Sequence, residues 1–187
     1  MKRFILALFC FVFSSAAISA SAQVAPAASR RGLSIYAGAE GSAFQPDYAG
    51  NGEAQTSPNR LYGVGGFIDA RLSRWIEIEA EGRWLRFNEY RDIGQNTYMI
   101  GPKVPIIDFH HWTPYGKFLY GWGSGTGWLS GKTTSIAYGG GVEYQLTKRL
   151  TIRPFDIEYE HWSTTPTLSP YGASAGISYR IFGGRGQ

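Results

Sequence analysis

Ser174-Ala-Gly176-Ile-Ser-Tyr179-Arg-Ile181-Phe182 alternates strictly as far as Ile181. Ala175, Ile177, Tyr179 and Ile181 take one phase, and Ser174, Gly176, Ser178 and Arg180 take the other. Successive side chains of a β-strand point to opposite sides of its pleat, so this period of two describes a strand with one apolar and one polar face. Such a strand fits the edge of a soluble antiparallel sheet or the closure of a membrane barrel. The segments upstream decide between them.

Seven earlier segments repeat the pattern. Near Leu33 to Phe44, Leu33, Ile35, Ala37 and Ala39 oppose Ser34, Gly38 and Glu40. Near Leu61 to Leu72, Tyr62, Val64, Ile68, Ala70 and Leu72 oppose Asp69 and Arg71. From Trp75 to Phe87, Ile76, Ile78, Ala80 and Trp84 alternate with Glu77, Glu79, Glu81 and Arg83. Thr97 to Val104 sets Tyr98, Ile100 and Val104 against Met99 and Lys103. Pro114 to Trp122 sets Phe118, Tyr120 and Trp122 against Lys117. Thr134 to Leu146 sets Ile136, Tyr138, Val142 and Tyr144 against Ser135 and Glu143. Leu150 to Trp162 sets Phe155, Ile157 and Tyr159 against Asp156, Glu158 and Glu160. Alternating segments of roughly 10 residues divided by turns are the pattern of a transmembrane β-barrel.

Connections and aromatics agree. Gln45 to Asn59, Asn88 to Asn96, Gly123 to Lys132 and Ser163 to Pro170 are long and polar or glycine-rich, whereas Ser73-Arg74 and Thr147-Lys148-Arg149 are tight. Outer-membrane barrels have long external loops and short periplasmic turns. Pro105 to Thr113 is long for a periplasmic turn, and Pro102 removes a ladder donor from a sheet without edges. Trp75, Trp112, Tyr144, Tyr179 and Phe182 fall near periplasmic strand ends. Trp84, Tyr98, Tyr120, Trp122, Trp162 and Tyr171 fall near external ends, as two interfacial girdles require. The rival is a soluble lipocalin-like periplasmic binding barrel with its apolar phase inside.

The start of the chain bears on compartment. Lys2 and Arg3, the apolar run Phe4 to Phe13, and Ala20-Ser21-Ala22 have the layout of a secretory signal peptide over 1–22, cleaved before Gln23. The run is shorter than the roughly 20 residues that span a bilayer as a helix. Cys10, the single cysteine of the chain, leaves with it, so neither a disulfide nor a thiol nucleophile is expected. Residues 23–31 form a short periplasmic segment, 32–182 the barrel and 183–187 a tail. Charged residues are 17%, against roughly 25% in soluble proteins. A net charge of +4 is too mild to imply nucleic acid.

The pattern from about Gly32 to Phe182 resembles the small OmpA/OmpX-type outer-membrane barrels, and the Ser174 to Ile181 spacing resembles the signal read by the outer-membrane assembly machinery. The fold expected is an all-β, eight-stranded antiparallel up-and-down transmembrane barrel in the cell outer membrane. An interior of that size is filled by side chains. Here Glu40, Asp69, Glu77, Glu79, Glu81, Glu143, Asp156, Glu158 and Glu160 would face Arg71, Arg83, Lys103, Lys117 and Arg180, with Glu79 and Glu81 near Lys103 and Glu158 near Arg180. Acids outnumber bases, which places some carboxylates at the rims or in protonated form.

Glu160-His161-Trp162-Ser163 resembles the His-x-Ser element of lipid A deacylase barrels, in which a histidine activates a serine. No Asp or Glu follows Glu160 to supply the downstream carboxylate, and alternation turns His161 and Glu160 to opposite faces. His110-His111, with Asp108 alone nearby, is a poor metal set. No catalytic, cofactor-binding or metal residue is therefore expected, and no cofactor. The function expected is structural, adhesive or envelope-maintaining, through surface loops. Its partners are outer-membrane lipid and lipopolysaccharide, and the assembly machinery during biogenesis, with the barrel a monomer.

Overall fold

The computed structural model describes residues 33–46, 60–87, 94–107, 109–125, 131–164 and 167–183. Eight strands follow one another: β1 (Ser34–Gln45), β2 (Leu61–Arg71), β3 (Glu77–Phe87), β4 (Gln95–Pro105), β5 (Trp112–Gly125), β6 (Gly131–Gln145), β7 (Leu150–Trp162) and β8 (Tyr171–Phe182). Each pairs antiparallel with the next, and β8 returns to β1, so the barrel closes and leaves no edge. The expected signal peptide, the 23–31 segment, most of the first long connection and the residues after Gly183 lie outside the described residues.

The alternation sorts the two faces as expected. Glu77, Glu79, Glu81 and Arg83 are buried inside β3, while Ile76 and Trp84 are exposed on the outside. Ile100, Tyr120 and Ile157 stand more than half exposed on the outer wall, and every buried acid lies inside. A soluble barrel would have its apolar phase in the core. Here that phase faces out, which suits lipid and excludes the lipocalin-like alternative.

Turn chemistry follows the sequence closely at two places. Leu72 and Ser73 N–H both donate to the Ile76 carbonyl, and the Ser73 hydroxyl accepts from Trp75 and Ile76 at 3.2 Å. Leu146 and Thr147 donate likewise to the Leu150 carbonyl, with the Thr147 hydroxyl accepting from Arg149 and Leu150. A hydroxyl that caps free backbone donors locks a short hairpin. The β4–β5 connection is shorter than the sequence implied, because Phe109 and Trp112 bridge and β5 starts at Trp112. His110 takes φ 58 to make that corner, a conformation histidine tolerates better than most residues.

Strand limits differ from the sequence reading where prolines and bulges intervene. β4 extends to Gln95 and Pro105, beyond Thr97 to Val104. Pro102 is accommodated by a break in the β4–β5 ladder, whose register passes from Ile100↔Tyr120 to Lys103↔Lys117. β3 starts at Glu77 rather than Trp75, so Ile78 lies near the periplasmic end of the wall. Pro154 lies within a β7 irregularity: the β7–β8 register shifts between Arg153 and Asp156. Pro154 and Phe155 both face out there, and the inward phase changes from odd to even numbers.

Candidate functional site

That change of phase completes the interior. Arg153, by strict alternation a lipid-facing residue, is turned inward and is only 1% exposed. With Arg83, Lys103 and Lys117 it forms a column of four buried cations among nine buried carboxylates. Their partners lie mostly across the barrel rather than on paired strands. Arg83 on β3 donates to Glu158 at 2.7 Å and Glu160 at 2.8 Å on β7, and also contacts Glu81. Lys117 on β5 meets Glu79 at 3.0 Å and Glu81 at 3.1 Å on β3, and Asp156 at 2.5 Å and Glu158 on β7.

Arg153 runs the other way, from β7 to Glu79 at 2.7 Å on β3, and to Asp69 at 3.3 Å and Glu143 at 3.4 Å. Lys103 joins Asp69 at 3.1 Å on β2 to Glu143 on β6, with Glu77 and Glu79 at 3.5 Å. Arg71 closes the periplasmic end against Glu77 and, at 3.6 Å, Glu143. Each cation serves several carboxylates, which is how a set with more acids than bases can be packed without a lone charge. The acids are not displaced to exposed rims: all nine are buried.

Aromatic rings fill the gaps between charge layers. Arg83 stacks over Phe44 at 4.1 Å and Arg153 over Phe67 at 3.9 Å, while Lys103 lies 4.5 Å from the Tyr115 centroid. Phe67 lies directly over Gly38, its β1 partner, and Trp162 lies over Gly123. A Cβ at either glycine would collide with the ring, so glycine makes the space the ring occupies. Trp162 is thus an interior residue, 3% exposed, with its indole N–H donating to Glu160 at 2.6 Å; the external girdle does not contain it. Phe44, Leu61 and Leu85 form an apolar cluster at the external end.

The pairing of Glu158 with Arg180 is not found: the register sets Glu158 opposite Gly172. Glu81 turns to Lys117 and Arg83, leaving Lys103 to Glu79. Carboxylate oxygens of Asp69, Glu77 and Glu143 lie within 4.8 Å of one another, the one such group among the described residues. Lys103 Nζ approaches all three, so an ammonium already serves them. Glu160 points inward to Arg83, and His161 is exposed on the outer wall next in sequence. The two therefore cannot form an acid–histidine pair, and the Ser163 hydroxyl has no such relay behind it. His110 and His111 are exposed in the β4–β5 turn; Asp108 lies outside the described residues.

The family model for the outer membrane protein beta-barrel domain matches residues 11–180. No curated relative matches the chain in sequence. Among solved structures, Neisserial surface protein A is similar with a TM-score of 0.66 and 12% identity, over 80% of this chain and 99% of its own. The N-terminal barrel domain of OprF from Pseudomonas aeruginosa gives 0.59 and 14%, over 79% and 97%. Ail, the attachment invasion locus protein of Yersinia pestis, gives 0.50 and 19%, over 80% and 97%. At these identities the likeness is one of fold.

Proposed function

The chain belongs to the outer membrane protein β-barrel domain family, and from that premise we propose that it is a non-catalytic barrel of the cell outer membrane. Its eight strands form a rigid stake for the four external connections. The observation that carries this reading is the filled lumen. Arg83, Lys103, Lys117 and Arg153 tie opposite walls together through buried carboxylates, leaving the interior committed to holding its own shape. What such a barrel presents for contact is its loops, in a structural, adhesive or envelope-maintaining role. The lipid A deacylase alternative is disfavoured by the separation of Glu160 from His161 on opposite faces. Outer-membrane lipid surrounds the wall, the assembly machinery inserts it, and the folded unit is a monomer.

Outer-membrane fractionation with gel mobility compared before and after boiling tests the reading. The folded barrel migrates differently unboiled, and a single mobility in both conditions refutes it. In planar bilayers no stable large pore is expected. An epitope inserted between Gln45 and Asn59 should be reached by protease on intact cells; access only after outer-membrane rupture inverts the topology.

A further inference from the structure

The outer wall carries no described acid. Nine of the 14 Asp and Glu residues are buried inside the barrel, and the other five lie outside the described residues. Cations do occur on the outside, and one stands on an organised surface at the external ends of β3, β4, β5 and β6. There, ring contacts run from strand to strand. The Trp84 indole N–H donates to the Tyr98 hydroxyl at 2.9 Å, with the two rings edge to face at 6.0 Å. Tyr98 meets Trp122 at 6.1 Å, and Lys132 Nζ stands 5.2 Å from the Trp122 ring. All three rings are exposed on the wall's outer face.

The register adds a polar row to this aromatic floor. Trp84 pairs with Asn96, Asn96 with Ser124, and Ser124 with Lys132, so the four form one rung across four strands. Tyr98 and Trp122 pair on the rung toward the membrane. The Asn96 side-chain oxygen has no hydrogen-bond partner among the described residues, although water barely reaches it. Arg86, exposed, stands two residues beyond Trp84 on the same face of β3, with one guanidinium nitrogen on the Leu85 carbonyl at 3.2 Å. Flat rings suit the apolar faces of sugar rings, amide and hydroxyl groups suit their hydroxyls, and an ammonium and a guanidinium suit phosphate.

We propose that this arc, Trp84–Tyr98–Trp122 with Asn96, Ser124, Lys132 and Arg86, is a binding site for the phosphorylated sugar headgroup of an outer-leaflet glycolipid. The proposal rests on the outer-membrane reading above, which sets the arc at the level of that headgroup. Charge complementarity selects the occupant: among the described residues the wall offers cations without a competing carboxylate, and the headgroup brings phosphate. Indole and phenol rings locked together by the Trp84–Tyr98 hydrogen bond are pre-ordered, so little side-chain freedom is lost on binding.

The test uses purified, folded full-length protein in phosphatidylcholine bilayer discs, with binding of bis-phosphorylated lipid A followed by retained mass and by tryptophan fluorescence. Wild type should retain lipid A and lose about tenfold in affinity for the dephosphorylated form, as expected for one or two cation contacts near a charged interface. Lys132→Ala with Arg86→Ala should weaken the phosphorylated form by a similar factor and leave the dephosphorylated form unchanged. Lys148→Ala, exposed in the β6–β7 turn at the opposite end of the barrel, should change neither. Equal binding of the two lipid forms by wild type overturns the proposal, a result that needs no variant to fold. So does a Lys148→Ala loss equal to that of the double variant, which would mean diffuse charge attraction. The boiled and unboiled mobilities of the same samples report the barrel separately, so failure here leaves the outer-membrane reading standing.

Discussion

The inner and outer faces of this wall are built from the same strands, one residue apart, yet they hold the structure by different means. Outside, Ile100, Phe118 and Ile157 face lipid one by one, and each position asks only for an apolar side chain of tolerable size. Inside, Glu79 is shared by Lys117, Arg153 and Lys103, so its identity is fixed by three residues on three other strands. The outer face is a composition, and the inner face is a set of pairings. Substitutions should therefore fail locally and by chemistry outside, but by orphaned partners inside.

The largest loss is expected at Arg153. Arg153→Met leaves Asp69, Glu79, Glu143 and Asp156 short of the guanidinium that serves them all. Removing one partner from a buried charge set costs on the order of 3–5 kcal/mol, well beyond the worth of the contact itself. Urea unfolding of the protein refolded into vesicles reads this as a lower midpoint. A shift below roughly 1 kcal/mol would mean that Arg153 faces lipid, as unbroken alternation has it.

Ile100→Arg probes the outer face near the middle of β4, where Ile100 pairs with Ala80 and Tyr120. A cation at the bilayer midplane costs about 2–4 kcal/mol, falling to about 0–1 near the interfaces. Ile78→Arg, at the periplasmic end of β3, should accordingly cost less than Ile100→Arg. Equal costs would refute the depth assigned to β3.

Gly38→Ala sharpens the comparison at the level of packing. The added methyl meets the Phe67 ring, which is itself pressed against Arg153 at 3.9 Å and has little room to retreat. Overpacking of this kind costs roughly 1–3 kcal/mol. In Gly38→Ala with Phe67→Leu the smaller side chain admits the methyl, so the pair should cost less than the sum of the two single changes. Strict additivity would break the ring-over-glycine account.

The same contrast explains what the sequence disclosed. Strand number and the division into two faces follow from a period of two that every strand but β7 carries unbroken, as β3 shows in Glu77, Glu79, Glu81 and Arg83. Closure and the lipid face needed the alternation of long and short connections and the aromatics at strand ends as well. Cross-barrel pairs depend on stagger between strands far apart in the chain, and no local pattern encodes that. The inward set read from the sequence omits Arg153, and the external girdle wrongly includes Trp162, for distinct reasons. Pro154, a residue that disfavours a central strand, was the available sign of the bulge that turns Arg153 inward. For Trp162 the phase was readable, since it shares that of Glu158 and Glu160, but an aromatic at a strand end invited assignment to the girdle.

Arg180 gives the smallest expected effect and the most direct check on stagger. It shares the inward phase of β8 with Ser174 and Ser178, and charge alone invites a bond to Glu158. The β7–β8 register places Glu158 opposite Gly172, eight residues from Arg180, roughly 26 Å along the strand at 3.3 Å per residue. Glu158 is held instead by Arg83 at 2.7 Å and by Lys117. Arg180 itself is half-buried near the periplasmic end and has no ion pair among the described residues. Arg180→Gln should then change stability by no more than about 0.5 kcal/mol, as at a surface position, while Arg83→Gln costs several times that. A loss at Arg180 as large as at Arg83 would mean that β8 is shifted against β7, and the pairing of the inner face would have to be redrawn from that strand onward.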